Sequence, residues 1–281
     1  SDKPEVRSQK PEHRSAIGAA AYHERRVTLL PLCLFAFLAG LVDSVAGGGG
    51  LIQLPALLWL LPADQSGTLV DVLGTNKAAA VFGTAMAVTQ YAPRVRIAWR
   101  SILPSAIAAF VTAGLGAAAV SHVRSTYLEP VIFVLLVAVA IYTFRQPSLG
   151  QLHAPRLGPR GELAAGVAIG AGLGFYDGFF GPGMGSFLMF AFIGWLGFDF
   201  LNATAGAKVV NLATNLAALV LFTAGGHVIY RIALPMAACQ IAGAFAGTRI
   251  ALAGGNRFVR VLFLVVATAL IVRFGWDALA R

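Results

Sequence analysis

The feature that most limits this chain is the recurrence of apolar runs of about 20 residues. Each is long enough to cross a hydrocarbon core of about 30 Å as a helix. Val27 to Ala46, Val72 to Tyr91, Ser101 to Ser121, Leu128 to Phe144, Ala205 to Ala224, Ile232 to Ala253 and Arg257 to Phe274 are runs of this kind. In lipid every backbone N–H and C=O must find a partner inside the protein, so such runs fold as helices. A membrane β-barrel would show alternating segments of about 10 residues, and the chain does not have that pattern. Only 12% of the 281 residues are charged, about half the share found in soluble domains. The expected fold class is an all-α polytopic membrane protein.

Two places break this plan. Asp43-Ser-Val-Ala is followed by Gly47, Gly48, Gly49 and Gly50, and a short apolar piece, Leu51 to Leu61, comes next. Glu162 to Phe180 is interrupted by Gly181-Pro-Gly-Met-Gly185, and Ser186 to Leu196 is again short. Consecutive glycines cost a helix about 1 kcal/mol each relative to alanine. A helix broken inside a membrane exposes backbone groups that protein, water or a ligand must satisfy. Lysines follow both breaks, Lys77 after Gly74-Thr-Asn and Lys208 after Ala205-Gly-Ala.

The breaks are matched. Asp43 and Asp177 stand 134 positions apart (177 − 43), as do Gly47 and Gly181, and Gly49 and Gly183. Lys77 and Lys208 stand 131 apart (208 − 77), as do Arg100 and Arg231, and Pro104 and Pro235. One three-residue deletion reconciles the two offsets. The chain therefore reads as two sequence-related halves of about four membrane segments each, the first segment of each half broken at its Gly-rich motif. The divisions are a polar cytoplasmic tail over 1–26, expected to be mobile, a first repeat over 27–145, a Pro/Gly-rich linker over 146–161 and a second repeat over 162–281.

Loop charge sets the expected orientation. If each broken segment crosses once, the loop with Asp64 and Asp71 faces out. The loops with Arg94, Arg96 and Arg100, and with Arg145, Arg156 and Arg160, then face in with the N-terminal tail, so the halves are parallel and both termini are cytoplasmic. If each broken segment dips in and returns, the halves are inverted. Charge favours the first arrangement, and the second stays open.

The formal net charge is +9. The basic residues lie mainly in the tail and short loops, where they serve topology and contact anionic lipid headgroups rather than nucleic acid. Cys33 and Cys239 lie in apolar runs without metal-ligand spacing and read as small hydrophobes. No His/carboxylate metal cluster, nucleophile elbow or phosphate loop is present in the sequence, so neither an enzyme nor a bound cofactor or metal is expected.

The breaks carry the expected chemistry. A half-helix starting near Gly49 presents N–H donors and the positive end of its dipole to a small anion, and Gly183 to Ser186 does the same in the second half. Glycines also permit tight helix packing, but four in a row matched by Gly-Pro-Gly-x-Gly exceed that need. The lysines either snorkel to an interface or help to hold an oxyanion. Lys208, Asn211 and Asn215 share one helical stripe. The expected binding set is Gly48, Gly49, Gly50, Thr75, Asn76, Lys77, Gly183, Gly185, Ser186, Lys208, Asn211 and Asn215. Gln53 and Gln240 are weaker candidates. Asp43 and Asp177 either pair with the lysines, carry a coupling proton or are structural.

The stretches Gly40-Leu-Val-Asp-Ser-Val-Ala-Gly-Gly-Gly-Gly-Leu-Ile-Gln-Leu-Pro55, Gly74-Thr-Asn-Lys-Ala-Ala-Ala-Val-Phe-Gly83 and Gly174-Phe-Tyr-Asp-Gly-Phe-Phe-Gly-Pro-Gly-Met-Gly-Ser-Phe187 resemble the motifs of the sulfite exporter TauE/SafE family of bacterial inner-membrane permeases. The resemblance covers residues 27–275. It implies about eight membrane segments from a duplicated unit, and export or uptake of sulfite, organosulfonates or related sulfur oxyanions. The expectation is a secondary transporter, working as an exporter by alternating access between the repeats. A channel-like anion pore and a membrane subunit assisting a partner enzyme are the alternatives. The expected partners are the small anion and the bilayer, and the sequence sets no oligomeric state.

Overall fold

The computed structural model describes residues 11–61, 67–120 and 157–279. The expected span Leu128 to Phe144, most of the linker, and the loop positions Asp64, Arg145 and Arg156 lie outside the described residues. What is described is helical throughout: α1 (Pro11–Ala46), α2 (Gly49–Leu60), α3 (Leu69–Tyr91), α4 (Trp99–Val120), α5 (Pro159–Phe179), α6 (Met184–Ala191) with a π turn at Phe192–Leu196, α7 (Phe200–Ala224) and α8 (Tyr230–Leu279). Among the described residues, Leu29–Ala46, Trp99–Val120, Phe200–Ala224 and Tyr230–Val261 are long and apolar enough to cross a membrane. Large apolar side chains such as Leu30, Trp59, Ile107, Val111, Val220 and Leu234 face outward, as an integral membrane protein requires of a surface solvated by lipid.

Several boundaries differ from the sequence reading for local reasons. From Pro11 onward the expected tail is the start of α1. Proline suits a first helical position, and Ala16, Ala19, Ala20 and Ala21 favour helix. Thr68 and Asp71 form a reciprocal capping box that starts α3 ahead of its apolar run. Asp199 caps α7 by accepting from Asn202 N–H at 2.8 Å. The last two expected spans, in contrast, meet where the sequence parts them: α8 is two helices joined at Gly255, whose φ of 64° and ψ of −167° are not helical.

Close packing comes from small residues. Gly166, Gly170, Gly174 and Gly178 form a row on α5 that lies against the backbone of Ser101, Ser105, Ala109 and Ala113 on α4. A Cβ on any of these glycines would overlap α4. With no hydrophobic drive between helices in lipid, such contact is what holds them together. Gly243 and Gly247 of α8 rest in the same way on Phe37 and Leu41 of α1. Each of these contacts joins a helix before residue 121 to one after 156, so neither stretch packs mainly with itself. The helices α3 and α7 also contact each other, while α3 packs on α8 and α4 on α7.

The same ladders fix helix direction. Rising numbers on α1 meet rising numbers on α8, and likewise for α4 and α5, so both pairs are parallel. The start of α3 meets the end of α7, since Asp71 contacts His227 and Thr84 contacts Asn215, so these two are antiparallel. Two buried apolar clusters mark the ends of the bundle. One joins Leu32, Leu57, Leu73, Phe222 and Met236. The other joins Tyr91, Val95, Ile97, Phe192, Phe200 and Ala251. Both Leu32 of α1 and Leu57 of α2 lie in the first cluster, so the chain dips at Gly47 and returns. The loop residues Val95 and Ile97 lie in the other. The apolar start of α1 and the Arg94–Arg100 loop are therefore at opposite ends, not together as loop charge led us to expect. A segment that returns does not change sides, and counting it as a crossing inverts every later assignment.

Candidate functional site

Between the two apolar clusters lies a polar layer. On α3 it falls between Leu73 and Ala87, on α7 between Val210 and Ala218, and on α8 between Ala237 and Ala251. The Gly-rich stretches meet here. Gly47 has φ of 79°, which a non-glycine residue adopts only with strain. That turn brings its backbone against Gly185. Gly47 C=O accepts from Ser186 N–H at 3.2 Å, and Ser186 Oγ donates to Ala46 C=O at 2.7 Å. Gly183, with φ of 82°, opens α6. Tyr176 Oη donates to Pro182 C=O at 2.6 Å and Tyr91 Oη to Ser44 C=O at 2.8 Å, which fix the backbone on either side.

Two buried ion pairs cross the layer. Lys77 Nζ is 2.7 Å from Asp177 Oδ1, with side chains only 4% and 2% exposed. Lys208 Nζ is 2.7 Å from Asp43 Oδ2, at 1% and 16%. Each lysine thus reaches the aspartate of the other Gly-rich stretch. Lys77 also donates to Asn215 Oδ1 at 2.9 Å, and Asn215 Nδ2 donates to Asn211 Oδ1 at 3.2 Å. Asp43 Oδ1 accepts from Gly49 N–H at 3.3 Å. The start of α2 therefore has an anion already, supplied by the protein.

A cavity of about 30 Å³ lies at this junction. Asp43, Gly49, Gly50, Asn76, Lys77, Asp177, Gly183, Gly185, Asn211 and Asn215 of the sequence reading all line it, with Thr84 and Gln240. Four expected residues stand apart. Gly48 is the position before α2, and its C=O accepts from Leu51 N–H. Thr75 is committed at the first-cluster end, where its hydroxyl donates to Asp71 C=O at 2.7 Å and accepts from Ile229 N–H at 3.0 Å. Ser186 is committed to Ala46. Lys208 does not line the cavity but pairs with Asp43, which does.

Thr84 was missed by sequence reasoning. Its signal was its place seven residues beyond Lys77, on the same helical stripe. Gln240, read as a weak candidate, donates to Gln53, and its Oε1 has no partner among the described residues. Asn76 Oδ1 and Asp177 Oδ2 are likewise buried without one. The cavity is water-sized, so an anion with three oxygens needs the helices to part. A larger cavity of about 510 Å³, against Ile169, Leu173, Phe187, Phe190 and Trp195, is mostly apolar and has no charged residue among its described lining. Among the described residues no cluster of His, Cys, Asp and Glu suits a metal ion.

Fold and site together define an integral membrane protein with a buried, internally neutralised polar centre, an arrangement that in membranes marks a solute or ion path. The sequence profile of the sulfite exporter TauE/SafE family matches residues 32–274, and the chain belongs to that family. Its relatives include "Probable membrane transporter protein ORF9" of a Sinorhizobium species, 37% identical over 86% of this chain and 90% of the relative. The "Probable membrane transporter protein YfcA" of Escherichia coli K12 is 33% identical over 88% and 89%. A "Probable membrane transporter protein" of Haemophilus influenzae is 32% identical over 86% and 92%. No solved structure matches the chain. The protein is thus a membrane transporter of the TauE/SafE type.

Proposed function

We propose that this protein is a secondary transporter that exports a small sulfur oxyanion, sulfite or an organosulfonate, across the bacterial inner membrane. The observation that carries the reading is the reciprocal pair of buried salt bridges around a water-sized cavity where the Gly-rich stretches touch. Buried charges of this kind serve function more than stability, because desolvation offsets much of their attraction. The matched offsets 134 and 131, the crossed pairing and the opposite directions of α3 and α7 all support an internal repeat, and an inverted one. Each Gly-rich stretch is then the tip of a segment that enters and returns, and rocking of one half on the other exposes the cavity to alternate sides. With the Arg94–Arg100 loop placed in the cytoplasm, the Asp71 end faces out and the apolar start of α1 with it, so the N-terminal tail is outside rather than cytoplasmic.

Flux into proteoliposomes of the purified protein is the test, with sulfite, thiosulfate, sulfoacetate and taurine offered in turn. A carrier gives saturable flux with sulfite or a sulfonate, and Lys77→Ala abolishes it while the protein remains monodisperse. Rates equal to protein-free vesicles for every anion would sink the proposal. Flux that never saturates would replace the carrier with a pore, and flux only in the presence of a second protein would make it an accessory subunit.

A further inference from the structure

The two aspartates are matched in sequence but not in surroundings. Both oxygens of Asp43 are engaged, one by Lys208 and one by Gly49 N–H. Asp177 is 1% exposed and lines the cavity. Its Oδ1 meets Lys77, and its Oδ2 has no protein partner among the described residues. Resting on the transport reading above, we propose that Asp177 carries a proton which moves with the anion, in the same direction and one per monoanion.

The reason is charge balance. Asp43, Asp177, Lys77 and Lys208 cancel one another, so a monoanion entering the cavity leaves one uncompensated charge inside the membrane. Such a charge is expensive there. A proton from water on Asp177 Oδ2 removes it. The neutral carboxyl releases the Lys77 ammonium, which then holds the anion with Asn215 and Asn211 beside it. On the far side the anion leaves, the proton returns to water and the Lys77–Asp177 pair re-forms. No bond changes other than one O–H.

The groups around Asp177 fit this assignment. Lys77 approaches from α3, the Asp43–Lys208 pair stands at the same junction from α1 and α7, and Tyr176 is next to it on α5. The helices α2 and α6 contain no charged or titratable residue, α4 has only Arg100 near its start, and α8 contributes the uncharged Gln240 to the cavity. Lys77 is therefore the cation that protonation sets free.

The experiment measures sulfite uptake and internal pH together in proteoliposomes of wild type, Asp177→Asn, Asp177→Glu and Asp43→Asn, with membrane potential clamped. Bisulfite brings its own proton equally in every case, so the difference between variants reports the protein. Asp177→Asn is expected to lower the protons moved per sulfite by roughly one and to flatten the rise of flux with falling pH. Asp177→Glu keeps a carboxyl and restores the coupling. Asp43→Asn slows flux but leaves the proton ratio at the wild-type value. Should Asp177→Asn not fold, the wild type decides with an organosulfonate, which brings no proton of its own: about one proton per anion is expected, and none overturns the assignment. Equal proton ratios in wild type and Asp177→Asn overturn the assignment while transport stands. A wild type that moves no sulfite overturns the transport reading, and this one with it.

Discussion

The Lys77–Asp177 and Lys208–Asp43 pairs use matched positions, the same charges and the same 2.7 Å separation, yet the protein holds them differently. Lys77 shares its ammonium with Asn215 and lies on the cavity wall. Lys208 lies off that wall, and its partner Asp43 also closes the start of α2. The two pairs are matched in sequence spacing, and packing sets one on the cavity wall and the other at the Gly47 turn. Matched spacing therefore does not imply matched surroundings.

The largest expected effect separates removal of a charge from removal of a pair. Lys77→Met leaves Asp177 buried without its cation and is expected to cost about 3–5 kcal/mol. Lys208→Met is expected to cost less, because Asp43 is 16% exposed and keeps the Gly49 N–H. Thermal unfolding in detergent checks the order, and a Lys208 variant that melts lower than the Lys77 variant would break the comparison.

Neutral double variants sharpen it. Lys208→Gln with Asp43→Asn is expected to fall within about 1–2 kcal/mol of wild type, since a neutral pair avoids desolvation, and to keep measurable sulfite flux. Lys77→Gln with Asp177→Asn is expected to be equally stable but to lose flux, because no cation is left on the cavity wall. Similar flux and similar pH profiles in both doubles would show that the pairs share one role.

A smaller effect concerns the frame. Gly178 touches the backbone of Ala113 one residue from Asp177, whereas Gly172 on the same helix has nothing within 4 Å of an added Cβ. Gly178→Ala is expected to cost about 1–3 kcal/mol by overpacking and to displace Asp177, lowering flux. Gly172→Ala is expected to be neutral or to stabilise the helix by a few tenths to about 1 kcal/mol. Melting curves of the two variants decide this.

The smallest expected effect is at the rim, where Asp71 Oδ1 is 2.8 Å from His227 Nδ1. Burial would raise the Asp71 carboxyl, but hydrogen bonds from Thr68 N–H, His227 and the Thr68 hydroxyl outweigh it and hold its pKa below the usual 3.8. A depressed carboxylate stabilises the fold above its unfolded value and loses that contribution as pH falls through its folded one. Asp71→Asn is therefore expected to cost about 0.5–2 kcal/mol at neutral pH, with the gap closing below about pH 4. A gap that persists at low pH would assign the effect to packing.

What the sequence determined by itself was local. Apolar runs placed the helices, because lipid leaves backbone groups no partner but their own helix. Gly47–Gly50 and Gly181–Gly185 marked where helices end, because glycine forgoes helical preference whatever surrounds it. Asp43, Lys77, Asp177 and Lys208 stood out because charge is costly in apolar surroundings. The tertiary structure decided what depends on contacts far apart in the chain. It crossed the ion pairs, set Lys208 off the cavity wall, committed Thr75 and Ser186 to backbone partners, and turned the Gly-rich segments back on themselves. Loop charge cannot report that last choice, because a segment that dips and one that crosses share the same apolar composition. The physical difference lies only in where the chain packs after each Gly-rich stretch, and for the first one the burial of Leu32 and Leu57 in the same cluster was decisive.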